Sequence, residues 1–287
     1  MASMWALEQP EPVDQNEILD TALTYANGTP VYALSAVERA AIHAVYDLYD
    51  AMLGQPHVDL RPNSLGHARP HLAEAYSQIQ IGARLEKLRQ HLLASTDSCP
   101  YCGFGEPRDL DHYLPRVEFG ELAIYFKNLI PSCSPCNNAK RTVFPGGAEL
   151  ANPGFIHPYF QELPDEDFLE ADIVFHDGAL LVSFRIDATN LEAQLAARLQ
   201  FQLDRLKLNA RYVKQINKFI SEQRTALQMF HELDAGLLST FLQRSSQALA
   251  RKNGRNDWRV SLLRALSQDG DFCSDPGRYV GDELNDG

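Results

Sequence analysis

The sequence predicts an α+β protein that is mainly helical, with a small ββα insert and one additional β-hairpin. Long segments place apolar residues three and four positions apart, which is the spacing of an amphipathic helix. Two Cys-x-x-Cys pairs enclose a short segment that contains two strand-like runs. Further along, Asp177-Gly178 separates two apolar runs, which is typical of a hairpin turn.

Two amphipathic helices are predicted before the first cysteine pair, over residues 35–53 and 70–93. The first opens on Ser35-Ala-Val-Glu38, the pattern of a capping box. The chain start has neither the basic region nor the apolar region of a signal peptide, so a cytoplasmic location is expected. No apolar run approaches the length that spans a membrane.

The four paired cysteines predict a structural zinc site. Cys99 and Cys102 form one pair, and Cys133 and Cys136 form the other. Two such turns supply the four thiolates that zinc binds in a tetrahedron. Two disulfides or four unrelated core cysteines are the alternatives, but a cytosolic chain keeps its thiols reduced. Cys273 stands apart and is interpreted as an ordinary buried or free thiol.

The segment between the pairs is predicted to be a hairpin that leads into a helix. A first short strand is expected over residues 108–115, where Pro115 closes it. Residues 118–121 form the expected loop, and residues 123–131 lead back to the second cysteine pair. A short helix is expected over residues 137–141. Zinc would then pin the start of the hairpin to the start of the helix.

At these residues the chain resembles the HNH endonucleases, the ββα-metal group on a treble-clef zinc scaffold. The resemblance is carried by Cys-x-x-Cys, Asp-His, a central Asn and Cys-x-x-Cys-Asn-x-x-Lys, over roughly residues 97–145. It implies that His112 is the general base and that Asp111 and Asn137 ligate a catalytic cation, Mg²⁺ or Mn²⁺. It also implies that Asn128 braces the hairpin. The third motif letter is Asn in place of His, and an amide oxygen also coordinates a hard cation.

The chemistry of phosphodiester hydrolysis supports these assignments. The reaction needs a base that works near pH 7 and a cation that neutralises developing charge, which suits His112 with Asp111 and Asn137. Lys140 and Arg141 are positioned to contact a flanking phosphate. Because neighbouring strand residues point to opposite faces, a base and a ligand at adjacent positions need a local twist or bulge. The alternatives are a surface Asp-His turn, a helix-capping Asn and a solvated helix end.

The remaining chain predicts a hairpin and more helices. The hairpin is expected over 173–184, a very long helical segment over 190–230, and two further helices within 233–251 and 258–267. His157 follows the motif closely and could reach the site, but it is interpreted as a packed structural residue. The predicted division is an N-terminal helical region, 1–96, the HNH module, 97–145, and a C-terminal hairpin with basic helices, 146–287.

The net charge of −12 is unexpected for a protein that binds nucleic acid. Residues 191–264 are the exception, with 13 basic and 6 acidic side chains. Within them Arg211, Lys214 and Lys218 recur at three and four, which places them on one helix face. This stripe is either a track for the phosphate backbone or a solvated helix face. The acidic remainder would limit indiscriminate DNA binding or dock a partner protein.

The predicted function is therefore that of a metal-dependent HNH endonuclease that hydrolyses phosphodiester bonds in DNA. Bacterial HNH proteins with helical flanks resemble anti-phage defence effectors, which work with an ATPase or sensor partner. The alternative is a zinc-stabilised nucleic-acid-binding or scaffold protein with a degenerate site, acting with a partner. The joint presence of all five motif side chains favours the enzyme. They are Asp111, His112, Asn128, Asn137 and Lys140.

Overall fold

The structure is a computed structural model that describes residues 4–146, 152–176 and 179–277. The chain divides into two compact units, Met4–Leu163 and Pro164–Gly287. The predicted class is confirmed, since the described residues are mainly helical with two short antiparallel hairpins. The three-part domain division stays a prediction.

The first unit carries four helices before its hairpin and one after it, within the described residues. In chain order, the helices and the two hairpin strands are α1 (Gln15–Ala22), α2 (Ala36–Ala51), α3 (Arg69–Ala75), α4 (Glu86–Leu93), β1 (Asp109–His112), β2 (Leu129–Ser132) and α5 (Ser134–Lys140). The predicted capping box at the start of α2 is present, because Ser35 and Glu38 exchange side-chain and backbone hydrogen bonds.

The single helix predicted over residues 70–93 is wrong. The chain instead forms α3, a 3₁₀ turn over Tyr76–Ile79 and then α4. Gly82 lies between the turn and α4 with φ of 77°, a left-handed conformation that ends helical winding. The apolar spacing continues across this break and therefore does not reveal it.

β1 and β2 pair antiparallel in a regular register. Asp111 lies opposite Ile130, and His112 lies opposite Leu129, with no extra residue on either strand. The bulge expected from the Asp-His pair is therefore absent, and the two side chains point to opposite faces of the hairpin. The helix predicted over 137–141 begins earlier, at Ser134, because Cys133 serves as its N-cap.

The chain start is hydrogen-bonded both to the first cysteine turn and to the segment after α5. The amide of Trp5 donates to the Pro100 carbonyl at 2.8 Å, and the amide of Leu7 donates to Pro158 at 2.8 Å. Trp5 is fully buried. Burial of so large a ring stabilises the contact between the chain start and the first cysteine turn.

The second unit begins with a hairpin and continues as helices. β3 (Leu169–His176) pairs antiparallel with β4 (Ala179–Ile186), and the predicted Asp177-Gly178 turn lies outside the described residues. The helices are α6 (Ala193–Arg205), α7 (Leu208–Leu233), α8 (Ala235–Asn253), α9 (Trp258–Gln268) and α10 (Gly270–Ser274).

The continuous helix predicted over 190–230 is wrong, because α6 ends at Arg205 and α7 starts at Leu208. Lys207 between them has φ of 51°, which is left-handed. The predictions for α8 and α9 are confirmed to within two residues at each end. Cys273 is a buried thiol whose Sγ lies 3.4 Å from the Leu266 carbonyl.

Among the residues that the structure describes, no helix combines the length and the apolar character needed to cross a membrane.

Candidate active site and zinc clasp

The four paired cysteines meet in a buried cluster, called here the clasp: Cys99, Cys102, Cys133 and Cys136. Their sulfurs all lie within 4.8 Å of one another, and none forms a disulfide. Tetrahedral zinc with bonds of about 2.3 Å places its sulfur ligands about 3.8 Å apart. The Sγ atoms of Cys102 and Cys133 are 3.8 Å apart, so the cluster fits a zinc ion.

The clasp joins the two ends of the hairpin. The Cys99 amide donates to the Gly105 carbonyl at 2.7 Å, which closes the first turn just before β1. Cys133 follows β2 directly and caps α5. Burial raises the pKa of the Cys99 thiol, so four buried thiolates need a cation to remain ionised together.

His112 ends β1 with its ring half-buried. Its Nε2 lies 2.9 Å from the Ala123 carbonyl, and its ring centroid lies 4.3 Å from that of Tyr76. Because a carbonyl only accepts hydrogen bonds, Nε2 carries the proton in the neutral ring and Nδ1 carries the lone pair. Burial lowers the pKa of His112 to about 3, so the ring is neutral at pH 7. A neutral imidazole with an available lone pair can act as a general base.

Asp111 is buried on the opposite face of β1, where it is held by two side chains. The Tyr101 hydroxyl donates to its Oδ2 at 2.8 Å, and Lys140 Nζ lies 3.0 Å from the same oxygen and 3.3 Å from Oδ1. Burial raises the pKa of Asp111, whereas Lys140 and Tyr101 act to lower it. Both carboxylate oxygens therefore already have partners within the protein.

The predicted phosphate contact of Lys140 does not fit its position in the structure. The side chain is fully buried, and besides Asp111 its Nζ donates to the His112 carbonyl at 2.8 Å. Lys140 thus ties α5 to β1 from inside. Arg141, by contrast, is exposed at the end of α5 with φ of 52°.

Asn137 is half-buried on α5 and meets a different aspartate from the one predicted. Its Nδ2 lies 3.3 Å from Oδ2 of Asp109, two residues before Asp111 on the same face of β1. The structure therefore brings together an amide and a carboxylate, the type of pair that the sequence predicted, but with Asp109 as the acid.

Asn128 lies fully buried between β1 and β2 with both ends of its amide satisfied. Oδ1 accepts from the Leu114 amide at 2.8 Å and from the Tyr49 hydroxyl at 3.0 Å. Nδ2 donates to the carbonyls of Leu114 and Leu122 at 3.0 and 3.1 Å. These bonds fix the chain directly after His112.

Several residues that contact the site were not predicted from the sequence. Tyr76 and Tyr101 hold His112 and Asp111, as described above. Arg116 donates to the Ala73 carbonyl at 2.9 Å, and its guanidinium carbon lies 5.4 Å from the Tyr76 ring centroid. Its charge also acts to lower the pKa of His112. The two-residue period of β1 could have indicated Asp109, but contacts between distant segments leave no local signal.

The predicted basic stripe lies in the second unit, on α7. Lys214 and Lys218 are exposed, and Lys218 forms a loose ion pair with Glu222 at 3.7 Å. Arg211 is half-buried, with Nη1 3.5 Å from the Leu206 carbonyl. Two of the three predicted cations therefore face solvent fully.

A four-cysteine clasp, an antiparallel hairpin and a short helix together define a zinc-compatible ββα module. Residues 99–142 match the model of the family described as HNH endonuclease, so the resemblance inferred from the motif is confirmed over this segment.

A 94-residue segment is 30% identical to Protein ea31 of Escherichia phage lambda, covering 32% of this chain and 28% of the relative. The chain thus matches less than a third of the length of that relative. No solved structure matches the chain.

Proposed function

We propose that the protein is a metal-dependent endonuclease that hydrolyses phosphodiester bonds in DNA, with His112 as its general base. The observation that carries the proposal is the state of the His112 ring. Its Nε2 is occupied by the Ala123 carbonyl, so in the neutral ring the lone pair lies on Nδ1, the nitrogen that would take a proton from water. Tyr76 limits rotation of the ring, and Ala123 fixes its tautomer.

We propose Asp109 and Asn137 as the protein ligands of the catalytic cation; because Asp109 lies on the face of β1 opposite His112, the strand would have to twist locally for the cation and the base to act on one phosphate. Oxygen ligands suit Mg²⁺ or Mn²⁺, and the 3.3 Å contact shows that these side chains reach one another. When bound, the cation would neutralise charge on the phosphate and leaving oxygen. Asp111, the ligand predicted from the motif, would first have to release Lys140.

Cleavage of supercoiled plasmid by the zinc-loaded protein tests the activity. We expect nicking with added Mg²⁺ or Mn²⁺, none after chelation, and products with 5′-phosphate and 3′-hydroxyl ends. His112→Ala should abolish nicking while DNA binding persists, because the base acts on the transition state. His91→Ala is the matched control, since His91 is exposed on α4. Wild-type cutting by the His112 variant would refute the assignment.

A pair of isosteric variants tests the ligand assignment. Asp109→Asn should raise the Mg²⁺ concentration that gives half-maximal nicking, because it removes the ligand charge. Asp111→Asn should change stability more than metal dependence, because its partner is Lys140. If only Asp111→Asn shifts the metal requirement, Asp111 is the ligand, as the motif predicts.

The alternative function is a zinc-stabilised nucleic-acid-binding or scaffold module, which acts with a partner protein. The buried Asp111–Lys140 ion pair favours it, since a motif carboxylate neutralised by a lysine is a poorer cation ligand. Metal-independent DNA binding without any nicking, by protein with full zinc content, would support this alternative.

A further inference from the structure

A buried hydrogen-bonded chain connects the central asparagine of the module to two residues outside the matched segment. His157 Nε2 lies 2.9 Å from the Tyr49 hydroxyl, which in turn lies 3.0 Å from Asn128 Oδ1. The exposed fractions of the three residues are 1%, 0% and 0%. Tyr49 belongs to α2, and His157 follows α5, so both are remote from Asn128 in sequence.

The contacts determine where each proton in this chain lies. Asn128 Nδ2 faces two carbonyls and Oδ1 faces the Leu114 amide, so the side-chain amide has only one satisfied orientation. The Tyr49 hydroxyl must therefore donate to Oδ1, and its oxygen accepts from His157. His157 Nδ1 accepts from the Tyr159 amide at 3.2 Å, which leaves the proton on Nε2.

We propose that Tyr49 and His157 are positioning residues for the active site, with His157 fixed as its neutral Nε2–H tautomer. They act through Asn128, which fixes the backbone at Leu114 just after His112. This role rests on the proposed nuclease function, whereas the tautomer can be tested without activity. A buried network in which every donor and acceptor is paired favours one arrangement over others.

The backbone around His157 is shaped to admit its ring. Gly54 has φ of 73°, and a Cβ placed there would lie 2.3 Å from Cδ2 of His157. A side chain at this position would therefore displace the ring as well as strain the backbone. Burial holds the pKa of His157 well below its usual range, consistent with a neutral ring.

Tyrosine-to-phenylalanine variants test the positioning role. Tyr49→Phe should lower kcat about tenfold or more with KM nearly unchanged, because the hydroxyl orients the site and touches no substrate. Tyr46→Phe is the matched control, because Tyr46 is also buried on α2 but its hydroxyl has no hydrogen-bond partner among the residues that the structure describes. Equal kcat values for the two variants would overturn the positioning role.

Two variants of His157 separate hydrogen bonding from packing. The amide nitrogen of His157→Gln can occupy the place of Nε2 and donate to Tyr49, whereas His157→Asn reaches only the place of Nδ1. We expect the Gln variant to keep most of the wild-type kcat and the Asn variant to lose as much as Tyr49→Phe. Equal losses in the Gln and Asn variants would contradict a role for the donor.

Nitrogen-15 NMR of the zinc-loaded wild-type protein at pH 7 tests the tautomer directly. The His157 signal, assigned in the wild-type protein by through-bond correlation to its own backbone, should show a protonated Nε2 and an unprotonated Nδ1. The opposite tautomer or a charged ring would overturn the proton assignment, even if the variants fold poorly. Absence of nicking by wild-type protein would instead refute the proposed function and, with it, the positioning role.

Discussion

At the residue scale, Lys140 illustrates how a motif position acquires its role from burial. The motif places a lysine one helical turn after Asn137, and the sequence alone favours a phosphate contact. In the structure the lysine is fully buried and pairs with Asp111 across α5 and β1. Removing one partner of such a pair leaves an uncompensated charge in a site that water does not reach.

Lys140→Met should destabilise the protein by about 3 kcal/mol or more, because Asp111 would remain buried without its cation. Urea unfolding of the zinc-loaded protein measures this loss. The double variant Lys140→Met/Asp111→Asn should recover much of it, since the remaining amide is neutral. A phosphate-binding lysine would behave differently: its loss would weaken DNA binding and leave stability unchanged.

His157 should make stability depend on pH in a predictable direction. Its pKa is depressed in the folded state by burial and, to a lesser extent, by Lys140, whereas the unfolded value is about 6.5. Below pH 6.5 the unfolded chain therefore binds more protons at this position, and stability falls as the pH falls. Well below pH 6.5, the protonation of His157 in the unfolded chain lowers the free energy of unfolding by up to about 1.4 kcal/mol for each pH unit of acidification.

Urea unfolding of wild type and His157→Gln at pH 7.5, 6.5 and 5.5 isolates this contribution. We expect the wild type to lose more stability than the Gln variant between pH 6.5 and 5.5, and the two to run parallel above pH 7. Parallel curves throughout would show that His157 ionises equally well in the folded and unfolded protein.

The site role of a residue could be predicted from the sequence where the spacing to nearby residues is itself the signal. The cysteine spacing predicted the clasp, which the structure assembles from the same four residues. The choice between Asp109 and Asp111 as partner of Asn137 was not predictable, because both lie on one face of β1. Asp111 is held instead by Tyr101 and Lys140, so Asp109 is the aspartate that contacts Asn137.

At the element scale, the clasp depends on close contact between the first cysteine turn and the start of α5. A Cβ added at Gly105 would lie 2.7 Å from both Cβ and Sγ of Cys133. Cys133 is the N-cap of α5 and belongs to the clasp, so its side chain cannot give way without moving away from the other three sulfurs. Local sequence cannot reveal the contact, because thirty residues, 103–132, separate Cys102 from Cys133.

Gly105→Ala should therefore lower zinc affinity and stability, because Cys133 must move away from the other ligands. Elemental analysis and competition with a chromogenic chelator measure the zinc, and Cys133→Ser should lose more of it. Gly270→Ala is the control, since a Cβ there would meet no neighbouring atom of the described part of the chain within 4 Å. Wild-type zinc retention by the Gly105 variant would show that the two turns can separate without cost.

Helices and strands were predictable where periodicity and caps agree, as at the start of α2. They were not predictable where the apolar pattern runs on through a left-handed residue. Gly82 breaks one predicted helix, and Lys207 breaks another. Lysine is not a usual breaker, but tertiary contacts favour the break: Asn209 bonds to the amide and carbonyl of Phe184 on β4. Such contacts outweigh helix propensity.

At the scale of the whole molecule, the uneven charge along the sequence is partly neutralised within the second unit. Arg255 and Arg264 both contact Asp167 at 2.9 Å, and Arg255 also contacts Asp165 at 3.0 Å. Asp165 and Asp167 lie outside the basic range of residues 191–264, whereas both arginines lie within it. The surplus of cations available to a ligand is therefore smaller than the count over residues 191–264 indicates.

The exposed lysines of α7 are the cations to test for nucleic-acid binding. Reversing Arg211, Lys214 and Lys218 to Glu should weaken binding to all DNA sequences alike, because phosphates are identical along the backbone. Three lost phosphate contacts should flatten the slope of log affinity against log salt by about 2 to 3. Zinc content should not change, and nicking should recover at high DNA concentration, because His112 is untouched.

The comparison of two single variants makes this test specific to position. Lys214→Glu and Arg185→Glu change net charge equally, but Arg185 on β4 already pairs with Glu170 and Asp172. We expect only Lys214→Glu to reduce the salt slope, by about one contact. Equal effects would mean that DNA responds to net charge alone. If neither single variant nor the triple variant alters binding, the stripe is a solvated helix face, and nucleic acid must bind elsewhere.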